Sequence, residues 1–222
     1  MGQPIVKVVI KEWLLILIMR NEFLWVDSYQ PQIIDNFLPE NYFNNLCDLM
    51  MGTGMVWNWN DSVDYKGGSK NQFQLTHSFY YSTKGYVSPL SHIIEPFVDL
   101  LKVGILIRIK ANLTTRTKTH LESEFHYDHE FVGSRLPDGT LISYTAIYYV
   151  NTNNGYTLFQ SGEKVKSVAN RIAIFNSAKL HKAVSCTDEK RRVVINFNYF
   201  TPKYGTIDQY QKSLKIFNEA NA

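Results

Sequence analysis

The chain has 222 residues, 45% of them hydrophobic and 19% charged, with a formal net charge of +3. That balance excludes a disordered chain, and the length suits one domain. The charge is too small and too dispersed for a nucleic-acid-binding stripe, and the two distant cysteines, Cys47 and Cys186, exclude a disulfide framework and a cysteine zinc site. So few cysteines fit a reducing compartment, and a cytoplasmic protein is expected.

Trp13 to Met19 (WLLILIM) is an apolar run of seven residues, closed by Arg20. A bilayer span needs about 20 such residues, and no small-residue cleavage site follows. A strand or helix packed on the core is therefore expected, with no membrane partner. Pro39 stands at a helix start, Phe43, Leu46, Leu49 and Met50 recur at helical spacing, and Gly52 ends the run. Asp61 to Asn71 is polar, carries Gly67 and Gly68, and reads as a loop; Phe73 to Tyr81 reads as a strand. Ser88-Pro89 predicts a second helix through Ile93, Phe97, Leu100 and Leu101 to Gly104.

Beyond Gly104 the pattern changes to short runs rich in β-branched and aromatic residues. These are Ile105 to Thr114, Leu141 to Asn151, Tyr156 to Gln160, Asn170 to Asn176 and Arg192 to Thr201, separated by the turn signals PDG, NTNNG and QSG. Thr206 caps a last helix to about Glu219. The outline is α+β: a double-stranded β-helix (jelly roll, cupin-like) with helices packed on the outer face of one sheet. A single domain is expected, with a helical and strand flank over 1–103, the jelly-roll core over 104–201 and a C-terminal helix over 202–222.

The stretch FHYDHEF places His126 and Asp128 two residues apart. In an extended segment side chains at i and i+2 share a face, so both can reach one ion. A further imidazole, His181, completes a two-histidine, one-carboxylate face that suits Fe(II) and leaves coordination positions open. The same spacing recurs at His120 and Glu122, which read as part of a polar loop, and His129 adjoins Asp128. His77 and His92 have no acid at ligand spacing and read as ordinary surface or core histidines.

In Arg192 to Tyr199, Val193, Ile195, Phe197 and Tyr199 form one apolar face, while Arg192, Val194, Asn196 and Asn198 form a polar one. A polar face on a central strand makes sense where it lines a cavity, so Arg192 points inward and Arg191 sits at the solvated edge.

From His126 to Phe200 the chain resembles the Fe(II)/2-oxoglutarate-dependent dioxygenases, specifically their compact prolyl 4-hydroxylase-like group. The resemblance rests on an ordered series: His126-Tyr127-Asp128, AIYYVN ending at Asn151, GYTLF (Gly155 to Phe159), NRIAIFNSAKLH leading to His181, and RRVVINFNYF. Tyr156 departs from the second glycine common in the family. The resemblance implies Fe(II) on His126, Asp128 and His181, and 2-oxoglutarate as co-substrate. It further implies O2 as oxidant, with ascorbate as a supporting reductant. The distal carboxylate of 2-oxoglutarate would meet Arg192 and the phenol of Tyr149, which otherwise reads as a core tyrosine. Asn112 matches a position that contacts co-substrate or substrate, and Arg108 and Lys110 on its face could take an anionic substrate.

The implied activity is hydroxylation of a C–H bond, most readily in a prolyl or other side chain of a protein or peptide, with release of succinate and carbon dioxide. An acid at position 128 favours hydroxylation over halogenation. Small-molecule oxygenation stays open; nucleic acid is not favoured, for lack of a basic cluster. A non-catalytic jelly-roll binding module is the competing class.

Overall fold

In the central strands, side-chain alternation sends every second residue to one of two different cores, and this sets the layers of the molecule. The computed structural model describes residues 30–63, 72–128 and 141–202. The run Trp13 to Met19, residues 64–71 of the expected loop, the Phe131 to Thr140 hairpin and the helix expected from Thr206 lie outside these residues.

In chain order the described elements are β1 (Gln32–Ile34), α1 (Glu40–Met51), β2 (Asn58–Asn60), β3 (Gln74–Tyr81), β4 (Gly85–Tyr86), a 3-10 turn (Ser91–Ile93), α2 (Glu95–Leu100) and β5 (Ile105–Thr115). There follow β6 (Leu141–Tyr149), β7 (Tyr156–Phe159), β8 (Lys164–Lys166), β9 (Arg171–Asn176), β10 (His181–Val184) and β11 (Arg191–Pro202). The major sheet has the order β1-β9-β6-β11-β5-β3-β2, with β4 paired to β3; the minor sheet is β10-β7-β8. The paired strands are antiparallel throughout, as a jelly roll requires.

Val193, Ile195, Phe197 and Tyr199 of β11 enter a core shared with Leu46 and Met50 of α1 and with Ile94, Phe97 and Leu101 in and around α2. Phe97 stacks on Phe197 at 4.7 Å and meets Tyr148 edge-on at 4.8 Å. Burying each such side chain contributes about 1.5–3 kcal/mol. Across the sheet, Val194 joins Ile147, Tyr149, Phe159, Val165, Ala173 and Phe175 in a second cluster between the two sheets. The helices thus lie on the outer face of the major sheet, as the sequence predicts.

The first helix ends at Gly52, where a Cβ would stand 2.5 Å from the Asp48 carbonyl oxygen. The second predicted helix is broken. Its first turn is a separate 3-10 turn, and α2 begins only at Glu95, with Pro96 in its opening positions. Proline has no N–H to donate and its ring crowds the carbonyl four residues back, so a helix coming from Ser88 cannot pass it and a new one starts there.

Asn170 ties the N-terminal flank to the sheets. At φ 60°, in a left-handed conformation that asparagine tolerates, it accepts from the Leu38 N–H at 2.9 Å and donates to the Leu38 carbonyl at 2.9 Å. The Tyr148 hydroxyl donates to the same amide oxygen at 2.9 Å. Among the described residues no helix is long and apolar enough to cross a membrane.

Candidate metal centre and its cavity

His126 and His181 are brought together by the backbone before any ligand is considered. They face each other as an isolated antiparallel bridge, with N–H···O bonds of 3.0 and 3.2 Å in the two directions. This bridge, with a second between Glu122 and Val184, lays the segment around 122–126 along the free edge of β10. The ring centroids of the two histidines are 5.0 Å apart. Asp128 follows at the i+2 position, and one ligand atom from each of the three residues lies within 4.8 Å of the others.

Each imidazole is oriented by a second hydrogen bond. His126 Nδ1 donates to the Glu124 carbonyl at 2.9 Å, and His181 Nδ1 to the Lys179 carbonyl at 3.1 Å. A carbonyl can only accept, so Nδ1 carries the proton in both rings and Nε2 is left to face the carboxylate. His126 Nε2 is 3.9 Å and His181 Nε2 3.6 Å from an Asp128 oxygen. Phe175 packs edge-on against the His181 ring at 5.0 Å.

Asp128 is buried and held from the other side of the cavity. Asn196 Nδ2 donates to its Oδ1 at 3.1 Å, Asn198 Nδ2 approaches Oδ2 at 3.5 Å, and the Arg108 guanidinium stands 3.7 Å from Oδ1. Arg108 also donates to the Asp128 carbonyl oxygen and, through Nε, to Asn198 at 3.1 Å. Burial opposes the charge on Asp128, but the His181 hydrogen bond and the charges of His181, Arg108 and His126 hold its carboxyl well below the usual carboxylate range. Burial likewise opposes a cationic His181, and the bond to Asp128 outweighs it, so its pKa lies above the ordinary 6.5.

The triad opens on a cavity of about 640 Å³ whose walls include Arg108, Lys110, Asn112, Thr114, Thr157, Arg192, Val194 and Asn196. Arg192 lies on this side of β11 and is 4% exposed. Its Nε donates to Ser167 Oγ at 2.9 Å and its Nη2 to Thr157 Oγ1 at 3.2 Å. Among the described residues no acid pairs with it. Arg191 turns the other way and donates to the Met51 carbonyl at the end of α1. Gly155 makes room for Arg192: a Cβ there would lie 2.8 Å from Arg192 Cδ and 2.8 Å from the Val184 carbonyl oxygen.

Tyr149 reaches the cavity indirectly. Its hydroxyl donates to Thr157 Oγ1 at 2.8 Å, where the expected partner is the co-substrate itself. Thr157 already accepts from both Tyr149 and Arg192, so its own proton is left for a ligand. Asn112 lines the cavity directly. Tyr156, in place of the usual glycine, disturbs nothing at the site: it sits beside the Lys164 ammonium, 4.7 Å from its ring centroid, and the edge of His120.

The other acidic and histidine pairs stay apart from the cavity. Glu122 pairs with Lys182 at 2.5 Å, and His120 Nδ1 donates to the Ser185 carbonyl. His77 is bonded to the Val56 carbonyl and to Ser88 Oγ, and His92 is exposed. Four contributors emerge only in three dimensions: Thr157, Asn196, Asn198, and Arg108 as a partner of Asp128. The alternation of β11 marks both asparagines as inward-facing, but nothing in the sequence pairs them with Asp128.

No family model matches the chain, and no curated protein does either. Solved structures do share its fold. A prolyl hydroxylase from Trichoplax adhaerens, in complex with a peptide fragment of the hypoxia-inducible factor oxygen degradation domain, is 13% identical, with a TM-score of 0.55 over 84% of this chain and 92% of that one. An oxidoreductase of the 2OG-Fe(II) oxygenase family from Burkholderia pseudomallei gives 7% identity and a TM-score of 0.53 over 78% and 86%. HygX from Streptomyces hygroscopicus, with nickel and 2-oxoglutarate bound, gives 12% and 0.52 over 88% of each chain. The chain has the double-stranded β-helix fold of these oxygenases.

Proposed function

We propose that the protein is an Fe(II)- and 2-oxoglutarate-dependent dioxygenase that hydroxylates a C–H bond. The observation that carries this reading is the buried guanidinium of Arg192, without an acidic partner among the described residues, in the same cavity as a two-histidine, one-carboxylate set. An isolated buried cation is costly, and a dicarboxylate that also reaches the metal offsets that cost.

The donor set fits the metal. The Nε2 atoms of His126 and His181 and the Asp128 carboxylate would hold a borderline divalent ion at the wall of the cavity. Bound iron and 2-oxoglutarate would supply the oxidising chemistry, converting O2 and a substrate C–H bond into an alcohol, succinate and carbon dioxide. The chain's own residues position these parts. Asn196, Asn198 and Arg108 fix the Asp128 carboxylate, and the Glu124 and Lys179 carbonyls fix the two imidazoles. Arg192 and the Thr157 hydroxyl receive the distal carboxylate, with Tyr149 steadying Thr157 from behind. Asn112 faces the cavity where co-substrate and substrate would meet.

A peptide side chain, a prolyl one in the first instance, is the substrate this reading favours. A second cavity of about 460 Å³ adjoins the first at Val63, Thr114 and Ala183 and is bordered by Gln72, Phe73 and Leu121. It offers an extended chain a path from the surface to the metal. At its edge Trp59 is 60% exposed and stacks on Phe73 at 4.2 Å. The peptide bound to the Trichoplax enzyme supports the same class.

The test is succinate release by the full chain with Fe(II), 2-oxoglutarate and ascorbate, across proline-rich peptides, free amino acids and nucleic acids. Turnover stimulated by a peptide is the expected result. A protein that releases no succinate and binds no 2-oxoglutarate would be a binding module instead.

A further inference from the structure

One stretch of the cavity wall offers hydrogen-bond acceptors with nothing to accept. On β5, Ala111 and Leu113 turn to the helix-side core, so Asn112 and Thr114 face the cavity. Across the ladder Asn112 stands beside Val194, which has no polar side-chain group. Thr114 stands beside Arg192, whose bonds run to Ser167 and Thr157. Asn112 Oδ1 and Thr114 Oγ1 are left buried without a hydrogen-bond partner.

Asn196 Oδ1 is a third such oxygen, on a side chain only 8% exposed. Its amide cannot turn over, because Nδ2 is committed to the Asp128 carboxylate. Buried acceptors of this kind call for a donor from a ligand or an ordered water. The 2-oxoglutarate dianion has oxygens only. The Thr114 hydroxyl can give it a proton, but the two asparagine oxygens can only accept. Their donor is water in the resting site and the substrate once that water is displaced.

Spacing identifies the donor. Asn112 and Thr114 are two residues apart on one strand, so their side chains leave the wall about 6.6 Å apart. In an extended peptide, main-chain N–H groups two residues apart point to the same side and repeat at that same interval. The residue between them turns its N–H away, so a proline there loses no bond. Thr114 also borders both cavities, at their junction. A chain entering through the second cavity passes Thr114 first and Asn112 next. One ladder position further along β11 stands Asn196, which holds Asp128.

The geometry points to a substrate subsite, resting on the dioxygenase reading, in which an extended peptide donates two main-chain N–H groups, two residues apart, to Thr114 Oγ1 and Asn112 Oδ1. A prolyl residue, with no N–H of its own, stands between the two donors. A guest without donors would leave the acceptors unpaired and bind more weakly for it.

The probe is acetyl-alanyl-prolyl-alanine methylamide, whose two alanine N–H groups flank the proline. Manganese(II) in place of iron, with saturating 2-oxoglutarate, relaxes the methyl protons of any peptide held near the metal. Two esters, each with lactic acid replacing one alanine, exchange a single N–H for an oxygen. Each ester should bind the wild-type protein at least about fivefold more weakly than the parent. Thr114→Val and Asn112→Leu each remove one acceptor at nearly constant volume. Each should weaken the parent to a similar degree and make one of the two esters no worse than the parent. The ester comparison uses the wild-type protein, and so holds even where a variant fails to fold.

Equal binding of parent and esters overturns the proposal, as does a parent peptide that is not relaxed while 2-oxoglutarate is bound. Loss of 2-oxoglutarate binding in either variant also overturns it, by assigning the oxygens to the co-substrate. Propanamide that displaces the parent, and loses affinity in both variants, overturns the main-chain assignment in favour of a side-chain carboxamide. If the wild-type protein takes up no 2-oxoglutarate, the dioxygenase reading itself falls and this subsite with it.

Discussion

The two faces of β11 are equally dry and chemically opposite. Toward the helices stand Val193, Ile195, Phe197 and Tyr199, at most 2% exposed and apolar but for one phenol. Toward the minor sheet stand Arg192, Asn196 and Asn198, at most 8% exposed and polar, each bonded to a named partner. Burying polar groups gains less than burying apolar ones and requires matched partners. The first face accounts for stability. The second spends some of that stability on holding ligand groups in place, and substitutions on the two faces should therefore fail in different assays.

The largest effect is expected at the metal. Asp128→Ala should abolish succinate release while the protein still folds, as judged by circular dichroism; retained turnover would mean that the carboxylate ligand lies elsewhere. Next comes the inward arginine. Arg192→Met should raise the KM for 2-oxoglutarate at least about thirtyfold, the usual scale for one partner of a buried charge pair. Arg191→Met, on the helix-facing side, should stay within about twofold, and equal effects from both would erase the distinction between the faces.

On the apolar side the order of readouts reverses. Phe97→Ala removes the ring stacked between Phe37 and Phe197 and should cost about 3–5 kcal/mol in denaturant unfolding, with 2-oxoglutarate affinity little changed below the transition.

The smallest effect is expected at the rim, where Arg171 grips Asp35 with bonds of 2.6 and 2.9 Å. The Arg171 hydrogen bond, against some burial, holds the Asp35 carboxyl below its ordinary 3.8. A depressed carboxylate contributes stability above its unfolded value and loses it as pH falls through the folded one. The gap between wild type and Arg171→Leu should thus be flat from pH 5 to 8 and close below about pH 4. The Asp35 side chain is half exposed to solvent, so the gap should not exceed about 1 kcal/mol. A gap that widens in acid would reverse the sign of this account.

The sequence revealed the parts of the fold that repeat a period and hid those that depend on a distant partner. The long strands β5, β6 and β11 declare themselves through β-branched and aromatic alternation, and the parity of β11 alone separates Arg192 from Arg191. Short strands do not. β8 is Lys-Val-Lys and β10 is His-Lys-Ala-Val, and neither has enough apolar positions to form a pattern. Their pairing comes from β7, whose own register supplies the ladder. The same limit hides the support around Asp128. Asn196 and Asn198 lie 68 and 70 residues from it, and no local spacing links them. Pro96 was visible in the sequence, yet a helical pattern running across it concealed the break that its ring imposes.

The backbone bridge between His126 and His181 would give a metal bound there a mechanical role as well as a chemical one. Closing a loop of that length costs on the order of 3–4 kcal/mol of chain entropy, and two backbone hydrogen bonds hold the closure. An ion on both imidazoles would rivet the same junction and resist its opening. Any divalent ion of suitable size should therefore raise the melting temperature, including ions that support no oxidation. Melting then reports that the junction is fastened, and only turnover reports what fastened it.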